Sequence, residues 1–406
     1  MNLIERFIKY VKIDTCSDPN SSTYPTTMKQ FDLAHVLVEE MKEMGIQNAH
    51  VDEYGVVYGS IASNVDYECD TIGFIAHMDT APDMSGTNVK PRIVENYDGG
   101  RIVLNEAMNI TMSPKEYPSL SLHKGHDLIV TDGTTLLGAD DKAGIAEILD
   151  MCQTIIQENL PHGTIKVAFT PDEEVGKGPD NFNVEKFGAD YAYTVDGGDI
   201  ESIDFENFNA ASALVKIYGS SIHPGEAKNK MKNAVLMAMQ FHSLLPEKDN
   251  PALTEGYEGF NHLHDIKGSC EYAESEYIIR NHDKALFAKQ KEDFKRAENF
   301  MNDLYGYKAV EVIIKDSYAN MREMIEPRMD IIEKVEAAME ELGMHPTHSP
   351  IRGGTDGARL TYMGLLCPNL GTGGYNFHGK YEYVSIQSMQ KMSALLTRLV
   401  TNAAKC

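Results

Sequence analysis

The chain has 406 residues, of which 42% are hydrophobic, which is enough for one large or two medium cores. Its formal net charge of -24 argues against nucleic acid or an anionic membrane as a partner, because both bind basic protein surfaces. No apolar stretch is long enough to span a bilayer, and residues 1–10 lack the apolar core of a signal peptide. The scattered cysteines include no Cys-x-x-Cys pair. We therefore expect reduced thiols and a cytoplasmic protein.

Hydrophobic spacing predicts alternating helices and strands in the first half of the chain. Apolar residues at helical spacing indicate a helix at residues 3–11 and another from about residue 28, which Gly45 ends. Short apolar runs indicate buried strands at residues 56–58, 72–76, 165–169 and 191–195. A further helix is predicted at residues 143–156. This order is typical of an α/β fold in which helices flank a mixed, mostly parallel sheet.

A different pattern follows in the middle of the chain. Its predicted elements are strands at 213–218, 259–266, 274–280 and 309–314, and helices at 234–245 and 285–304. The order β-α-β-β-α-β is typical of a small independent α+β sheet. Because candidate site residues lie on both sides of it, we predict a catalytic domain of residues 1–208 and 317–406. Residues 209–316 are then an inserted lid or dimerisation domain.

Short motifs along the chain contain five candidate metal ligands: His77, Asp140, Glu174, Asp196 and His378. Two imidazoles and three carboxylates suit a pair of zinc-like ions that share one carboxylate. At least three of the motifs follow predicted strands, and open α/β sheets bind ligands at the carboxyl ends of their strands. The combination favours hydrolysis at a two-metal centre.

Taken singly, the first two motifs also have structural interpretations. A strand that ends at residue 76 would point His77 and Asp79 into one cleft, but the same pair also fits an ordinary loop. The neighbours Asp140 and Asp141 diverge, so only one of them can readily bridge two ions. An Asp-Asp pair is also a frequent helix start, where carboxylates cap backbone amides.

The later motifs are open to similar alternatives. Adjacent Glu173 and Glu174 can divide two roles, one binding metal and the other accepting a proton from the attacking water. The alternative for this pair is a solvated acidic turn. Asp196 precedes two glycines and also fits a turn, and a single histidine such as His378 is usually structural or exposed.

Other hydrolytic and nucleotide-binding chemistries lack their motifs in this chain. There is no Gly-x-Ser-x-Gly sequence, which argues against a serine hydrolase. There is no Gly-Lys-Ser/Thr loop, which argues against a P-loop nucleotide site. The glycines at residues 371–379 do not match the dinucleotide-binding fingerprint.

With these motifs in place, the chain resembles the family of co-catalytic zinc peptidases and deacylases that includes aminoacylase and carboxypeptidase G. The resemblance spans nearly the whole chain and rests on residues 72–80, 131–144, 167–176, 193–198, 222–225, 351–357 and 376–379. It implies one zinc ion held by His77 and Asp196. The second zinc ion would be held by Glu174 and His378, with Asp140 bridging the two.

The resemblance also implies roles for residues outside the ligand set. Asp79 would orient a ligand and Glu173 would be the general base. His223, from the inserted domain, would lie near the scissile carbonyl, and Arg280 and Arg352 would contact substrate. For each arginine the alternative is a salt bridge, and for His223 it is a turn position before a proline.

The activity that the resemblance implies is removal of the N-terminal residue from tripeptides by a zinc-activated water. It also allows a homodimer in which His223 reaches the partner's site. A dipeptidase, a carboxypeptidase or an N-acyl amino acid deacylase could use the same centre, and a non-catalytic peptide-binding protein could keep the fold. Glu173 argues against that last alternative, because binding alone needs no base.

Overall fold

A seven-stranded mixed sheet forms the centre of the larger of two compact units. The structure is a computed structural model that describes residues 1–405, so Cys406 lies outside the described residues. The larger unit contains Met1–Phe205, Glu323–His348 and the chain from Thr355 onward, and the second unit contains Glu206–Arg322 and Ser349–Gly354.

The described residues form ten α-helices: α1 Leu3–Val11, α2 Gln30–Glu43, α3 Ala139–Glu158, α4 Val184–Phe187, α5 Ala234–Ser243, α6 Lys284–Tyr305, α7 Arg322–Ile325, α8 Asp330–Glu341, α9 Asp356–Tyr362 and α10 Ile386–Ala403. Short 3-10 helices are Pro118–His123, Glu173–Val175, Gly178–Asn181, Pro224–Glu226, Pro251–Leu253 and Glu326–Arg328. The strands are β1 Gln47–Val51, β2 Val57–Ile61, β3 Ile72–His77, β4 Arg92–Val94, β5 Ile102–Asn105, β6 Ile110–Met112, β7 Leu128–Val130, β8 Ile165–Thr170, β9 Tyr191–Gly197, β10 Ile203–Asp204, β11 Asn209–Tyr218, β12 Phe260–Gly268, β13 Tyr272–Asn281, β14 Val310–Tyr318, β15 Asn369–Gly371, β16 Gly374–Tyr375 and β17 Tyr383–Ser385.

The central sheet has the strand order β1-β2-β8-β3-β9-β15-β10. Its four inner strands, β8, β3, β9 and β15, run parallel, and the outer pairs are antiparallel. All six residues of β3 are buried, as expected of a parallel strand covered on both faces. The predicted fold class, an α/β fold with a mixed sheet flanked by helices, is confirmed.

Helix α3 lies directly against the sheet, packing on β3 and β9, and α1 and α10 pack against α3. The close approach depends on Gly144, where an added Cβ would lie 1.9 Å from the backbone oxygen of Val195. Any larger residue would push the first turns of α3 away from β9. The start of α3 is therefore held beside the carboxyl end of the strand that contains Asp196.

Residues 92–130 contain strands that the hydrophobic pattern did not predict. Strands β4 and β7 join β16 and β17 in a four-stranded sheet, and β5 pairs with β6. Most of these strands are only two to four residues long, too short to show a clear period-two alternation. They depend on a local cluster of buried side chains that includes Leu104, Met112 and Tyr383.

The second unit is an antiparallel sheet of order β12-β13-β11-β14 with helices α5 and α6 packed on it. Its core includes Val215, Phe241, Tyr277 and Phe294. The order along the chain is β-α-β-β-α-β, the arrangement expected from the sequence.

The second unit is larger than the predicted inserted domain of residues 209–316, because it also contains residues 206–208, 317–322 and 349–354. Ile351 forms a parallel bridge with Asn207, and Arg352 donates hydrogen bonds to the carbonyls of the loop at 254–258. The local pattern gave no sign of these distant partners.

Among the described helices, none combines the length and apolar character that crossing a membrane requires.

Candidate metal centre

The five candidate ligands meet at the carboxyl ends of the parallel strands in the larger unit. His77 is the last residue of β3, and Asp196 lies one residue before the end of β9. Glu174 lies on the short 3-10 helix that follows β8, Asp140 lies at the start of α3, and His378 lies between β16 and β17. Three parallel strands and two flanking segments thus place five side chains at one edge of the sheet.

The two carboxylate oxygens of Asp140 face two different histidines. Oδ1 lies 2.8 Å from Nε2 of His77, and Oδ2 lies 3.2 Å from Nε2 of His378. A second carboxylate lies near the same nitrogen of each imidazole: Asp196 Oδ1 is 3.5 Å from His77 Nε2, and Glu174 Oε2 is 3.0 Å from His378 Nε2. Asp140 is thus shared by two groups of donors.

Asp79 connects the end of β3 to the pair of glutamates. The ring nitrogen Nδ1 of buried His77 lies 3.0 Å from the backbone oxygen of Asp79, which leaves Nε2 facing the other ligands. The carboxylate of Asp79 accepts the backbone N–H groups of Glu173, at 2.9 Å, and Glu174, at 3.2 Å. It therefore fixes where the 3-10 helix begins.

The carboxylates around the two histidines stabilise a positive charge. Burial lowers the pKa of His77, but the charge of Asp196 and a hydrogen bond to Asp140 outweigh it and hold the pKa well above its usual value. Hydrogen bonds to Asp140 and Glu174 raise the pKa of His378 to about 11. Each imidazole is therefore held at a position where a cation is favoured.

The pKa values of three carboxyl groups are also raised, which for an acid favours the neutral form. Burial is the main cause for each: it raises the pKa of Glu174 to about 7 and that of Asp196 to about 6. Burial and the charge of Asp196 raise the pKa of Glu173 well above its usual value. A carboxyl group with a raised pKa beside a cluster of acids is suited to accept and return a proton near neutral pH.

The donor atoms fit two metal ions. One atom from each of His77, Asp140 and Asp196 lies within 4.8 Å of the others, and the same holds for Asp140, Glu174 and His378. Each group offers one imidazole nitrogen and two carboxylate oxygens, a set that suits zinc and similar divalent ions. The chain therefore has a candidate dinuclear metal site with Asp140 common to both halves.

Two further buried acids fix the backbone beside the candidate ligands, and the sequence analysis did not single out one of them, Glu382. Glu382 is 1% exposed and accepts the backbone N–H groups of Leu137, Gly138 and Asp140 at 2.7, 2.8 and 3.1 Å. Asp141, which the sequence left as an alternative to Asp140, accepts the N–H of His77 at 3.1 Å. The one sequence signal for Glu382 is a charge inside the apolar run at 381–384.

The three candidate substrate contacts lie in the second unit. His223 is exposed, and its Nδ1 accepts the N–H of Gly225 at the start of a 3-10 helix. Arg280 donates to the carbonyls of Ala211 and Ile279 and lies over the ring of Tyr318.

Arg352 also has partners within the second unit. Its guanidinium donates to the carbonyl oxygens of Gly256, at 2.7 Å, and Glu258, at 2.8 Å, and it lies over the rings of Phe208 and Phe260. These bonds secure the loop at 254–258. A substrate role for this arginine and for Arg280 and His223 stays a prediction.

A paired metal-donor site at the carboxyl ends of parallel strands, with a glutamate of raised pKa beside it, is characteristic of metal-dependent hydrolases. A sequence model described as Peptidase family M20/M25/M40 matches residues 130–402, about two thirds of the chain. The chain belongs to this family, and the family resemblance predicted from the sequence is confirmed.

Curated relatives match over nearly the whole length. The chain is 54% identical over 402 residues to the peptidase T of Alkaliphilus oremlandii, with 98% of each chain covered. It is 52% identical over 399 residues to the peptidase T of Halothermothrix orenii, again with 98% of each covered.

Solved structures share the fold. The aminopeptidase PepT of Bacillus cereus aligns with a TM-score of 0.80 at 22% identity, covering 100% of this chain and 98% of that one. A tripeptidase of Staphylococcus aureus gives a TM-score of 0.79 at 23% identity, covering 99% and 98%. A dinuclear metal-binding M20 peptidase of Bacillus subtilis gives 0.66 at 15% identity, covering 99% and 97%.

Proposed function

We propose that this protein is a dinuclear zinc aminopeptidase that removes the N-terminal residue of tripeptides. The observation that carries the proposal is the arrangement of Asp140, whose two oxygens each face a different histidine. A single bridging carboxylate between two imidazole-containing donor groups is what a co-catalytic metal pair needs. The choice of substrate is supported by relatives named peptidase T at 52–54% identity over 98% of the chain.

In this proposal, His77 and Asp196 hold one ion, Glu174 and His378 hold the other, and Asp140 is shared. When bound, the two ions would polarise the peptide carbonyl and make the attacking water more acidic. Asp79 keeps His77 in one orientation and fixes the 3-10 helix through two backbone hydrogen bonds.

Glu173 is the proposed general base. It begins the 3-10 helix that follows β8, where burial and the charge of Asp196 raise its pKa. A raised pKa makes the ionised carboxylate a stronger base toward the attacking water. The same carboxyl group then donates that proton to the leaving amine, so that the base is restored at the end of each cycle. The backbone bond to Asp79 keeps Glu173 in place during both transfers.

The finer parts of the proposal are zinc as the native metal, a cytoplasmic location and a homodimer. Zinc is supported by the nitrogen and oxygen donors of the centre. The cytoplasm is supported by the free thiols of Cys16, Cys152, Cys270 and Cys367. The homodimer rests on the resemblance alone and is tested with His223 below.

Glu173→Gln tests the chemical assignment, since it removes the base and keeps the side-chain size. We expect kcat to fall by roughly 10²- to 10⁴-fold while the metal content stays unchanged. Glu185→Gln, an exposed glutamate on α4, is the matched control and should keep wild-type kcat. A Glu173→Gln enzyme with near wild-type kcat would rule out this role.

A substrate panel tests the specificity. Free and N-blocked di-, tri- and tetrapeptides should be compared by kcat/KM with the wild-type enzyme. The proposal requires free tripeptides to be the best substrates. A preference for dipeptides, for blocked peptides or for release of the C-terminal residue would assign the centre to a dipeptidase, a deacylase or a carboxypeptidase.

A further inference from the structure

A segment near the start of the chain holds both loops that flank the proposed base. This N-terminal segment, residues 15–30, lies before the part of the chain that the family model matches. Its Ser17 N–H donates to the backbone oxygen of Thr80 at 3.2 Å, and Thr80 N–H donates to the oxygen of Thr15 at 3.4 Å. Thr80 directly follows Asp79, so the segment secures the end of β3.

The same segment surrounds Asp172, the residue before Glu173. Asp172 is completely buried, and it accepts the backbone N–H of Thr26 at 2.7 Å, the side-chain amide of Gln30 at 2.7 Å and the hydroxyl of Thr26. Gln30 in turn accepts the backbone N–H of Asp172 at 3.2 Å. Four hydrogen bonds thus join two stretches that lie more than 140 residues apart in sequence.

The backbone of Asp172 has an uncommon conformation, with φ +60° and ψ +23°. This left-handed geometry turns the chain sharply after β8, and aspartate tolerates it better than most residues other than glycine and asparagine. A glycine would allow the turn without any bond to Thr26 or Gln30. Asp172 combines the turn with an acceptor for three donors.

Further contacts extend the attachment beyond Asp172. The hydroxyl of Tyr24 donates to the carbonyl of Gly178 at 2.8 Å, and the ammonium of Lys177 donates to the carbonyl of Ser21 at 3.0 Å. The loop at 172–178 is therefore attached to the N-terminal segment at both of its ends.

We propose that Asp172, held by Thr26 and Gln30, is a positioning residue that sets where Glu173 lies relative to Asp79. Asp79 fixes the backbone of Glu173 from one side, and Asp172 fixes the preceding peptide from the other. Thr80 ties Asp79 to the same N-terminal segment. The segment thus sets the separation between the two loops, while Asp172 touches none of the reacting atoms.

The proposal rests on the proposed function, because it needs Glu173 to be the base. A general base works only within hydrogen-bond reach of the water it deprotonates. A displacement of about 1 Å can cost roughly 10²-fold in rate. Loss of the Asp172 bonds should therefore reduce kcat and leave the binding of substrate and metal unchanged.

Two variants test this in the full-length, metal-loaded enzyme. Asp172→Asn keeps the turn but turns an amide toward the donors, and Thr26→Val keeps the shape of the side chain and removes its hydroxyl. We expect each to lower kcat by about 10- to 100-fold, with KM within about twofold and two metal ions retained. Thr26→Ser, which keeps the hydroxyl, should restore most of the kcat lost in Thr26→Val.

Ser393→Ala is the control for a structural effect alone. It removes another hydroxyl-to-carboxylate bond, from buried Ser393 to partly buried Asp150 at 2.8 Å, roughly 15 Å along α3 from Asp140. It should lower the melting temperature about as much as Thr26→Val and leave kcat unchanged when assayed well below melting.

Several outcomes would overturn the proposal. They are a kcat within about twofold of wild type in a folded Asp172→Asn or Thr26→Val enzyme, a loss confined to KM or metal content, and no benefit of Thr26→Ser over Thr26→Val. If Asp172→Asn does not fold, the Thr26 pair decides. Retained activity in Glu173→Gln would instead overturn the proposed function, so the two failures are distinguishable.

Discussion

Glu147 makes the stability of the larger unit depend on pH in a direction that can be measured. It lies on α3, its side chain is 0% exposed, and neither carboxyl oxygen has a hydrogen-bond partner among the described residues. Burial, with a smaller contribution from the charge of Asp150, raises its pKa well above the usual value. In the unfolded chain the same group ionises at its ordinary pKa of about 4.3.

This difference destabilises the folded protein as the pH rises. Below the unfolded pKa the group is protonated in both states and has no effect. Above it, the unfolded chain releases a proton that the folded chain keeps, so the free energy of unfolding falls by about 1.4 kcal/mol per pH unit until the folded pKa is reached. For a unit of this size, 1 kcal/mol shifts the melting temperature by about 2–4 °C.

Glu147→Gln removes the ionisable group and keeps its shape. Its buried amide carries a cost of its own, but that cost is the same at every pH and cancels when two pH values are compared. We therefore expect the melting temperature of the variant, relative to wild type, to rise by at least about 3 °C between about pH 5 and pH 7. The measurement is thermal unfolding followed by circular dichroism at matched metal and salt concentrations.

Glu158→Gln provides the matched control, since Glu158 is an exposed glutamate near the end of the same helix. It should show no such change between the two pH values. Equal differences between Glu147→Gln and wild type at both pH values would refute the reasoning, because Glu147 would then ionise alike in the folded and unfolded states.

Three further outcomes are expected. Chelation should abolish activity, and zinc should restore it. Metal analysis should then find about two ions per chain at full activity. Full activity with one ion would contradict the shared role of Asp140. Acetylating the α-amine of a good tripeptide should cut kcat/KM by at least about tenfold, or roughly 1.4 kcal/mol. The reason is that the carboxylates of the centre attract the protonated α-amine, and acetylation removes its charge. Equal rates would favour a deacylase or carboxypeptidase. His223→Ala should leave metal content unchanged and lower kcat by roughly 10²- to 10³-fold. Mixing it with Glu173→Gln should recover part of the activity if the histidine acts across a dimer, and an unchanged kcat in His223→Ala alone would remove it from the mechanism.

The sequence was most informative where chemistry and local pattern coincide. His77, Asp140, Glu174, Asp196 and His378 each follow a recognisable strand or glycine-rich turn, and the structure brings their donor atoms together. The central strands were predictable because parallel strands covered on both faces are almost wholly apolar. A two-metal site can be recognised in a sequence because it needs histidine and carboxylate residues, and these follow strands or glycine-rich turns.

Residues that position the site could not be predicted in the same way. Glu382 and Asp172 act through bonds to backbone groups far along the chain, and a single buried acid has no periodicity to reveal it. The short strands at 92–130 and the transfer of residues 349–354 to the second unit also depend on distant partners. Local propensity does not predict such pairings, because they depend on tertiary packing.

The interrupted order of the larger unit has a consequence for synthesis on the ribosome. Four of the five candidate ligands have been made by residue 196, but His378 and the inner strand β15 come only after the whole second unit. A nascent chain that ends before residue 378 lacks one imidazole of the pair that faces Asp140. Truncated products of translation therefore lack part of the candidate centre, and under the proposed function peptide cleavage requires a nearly finished polypeptide.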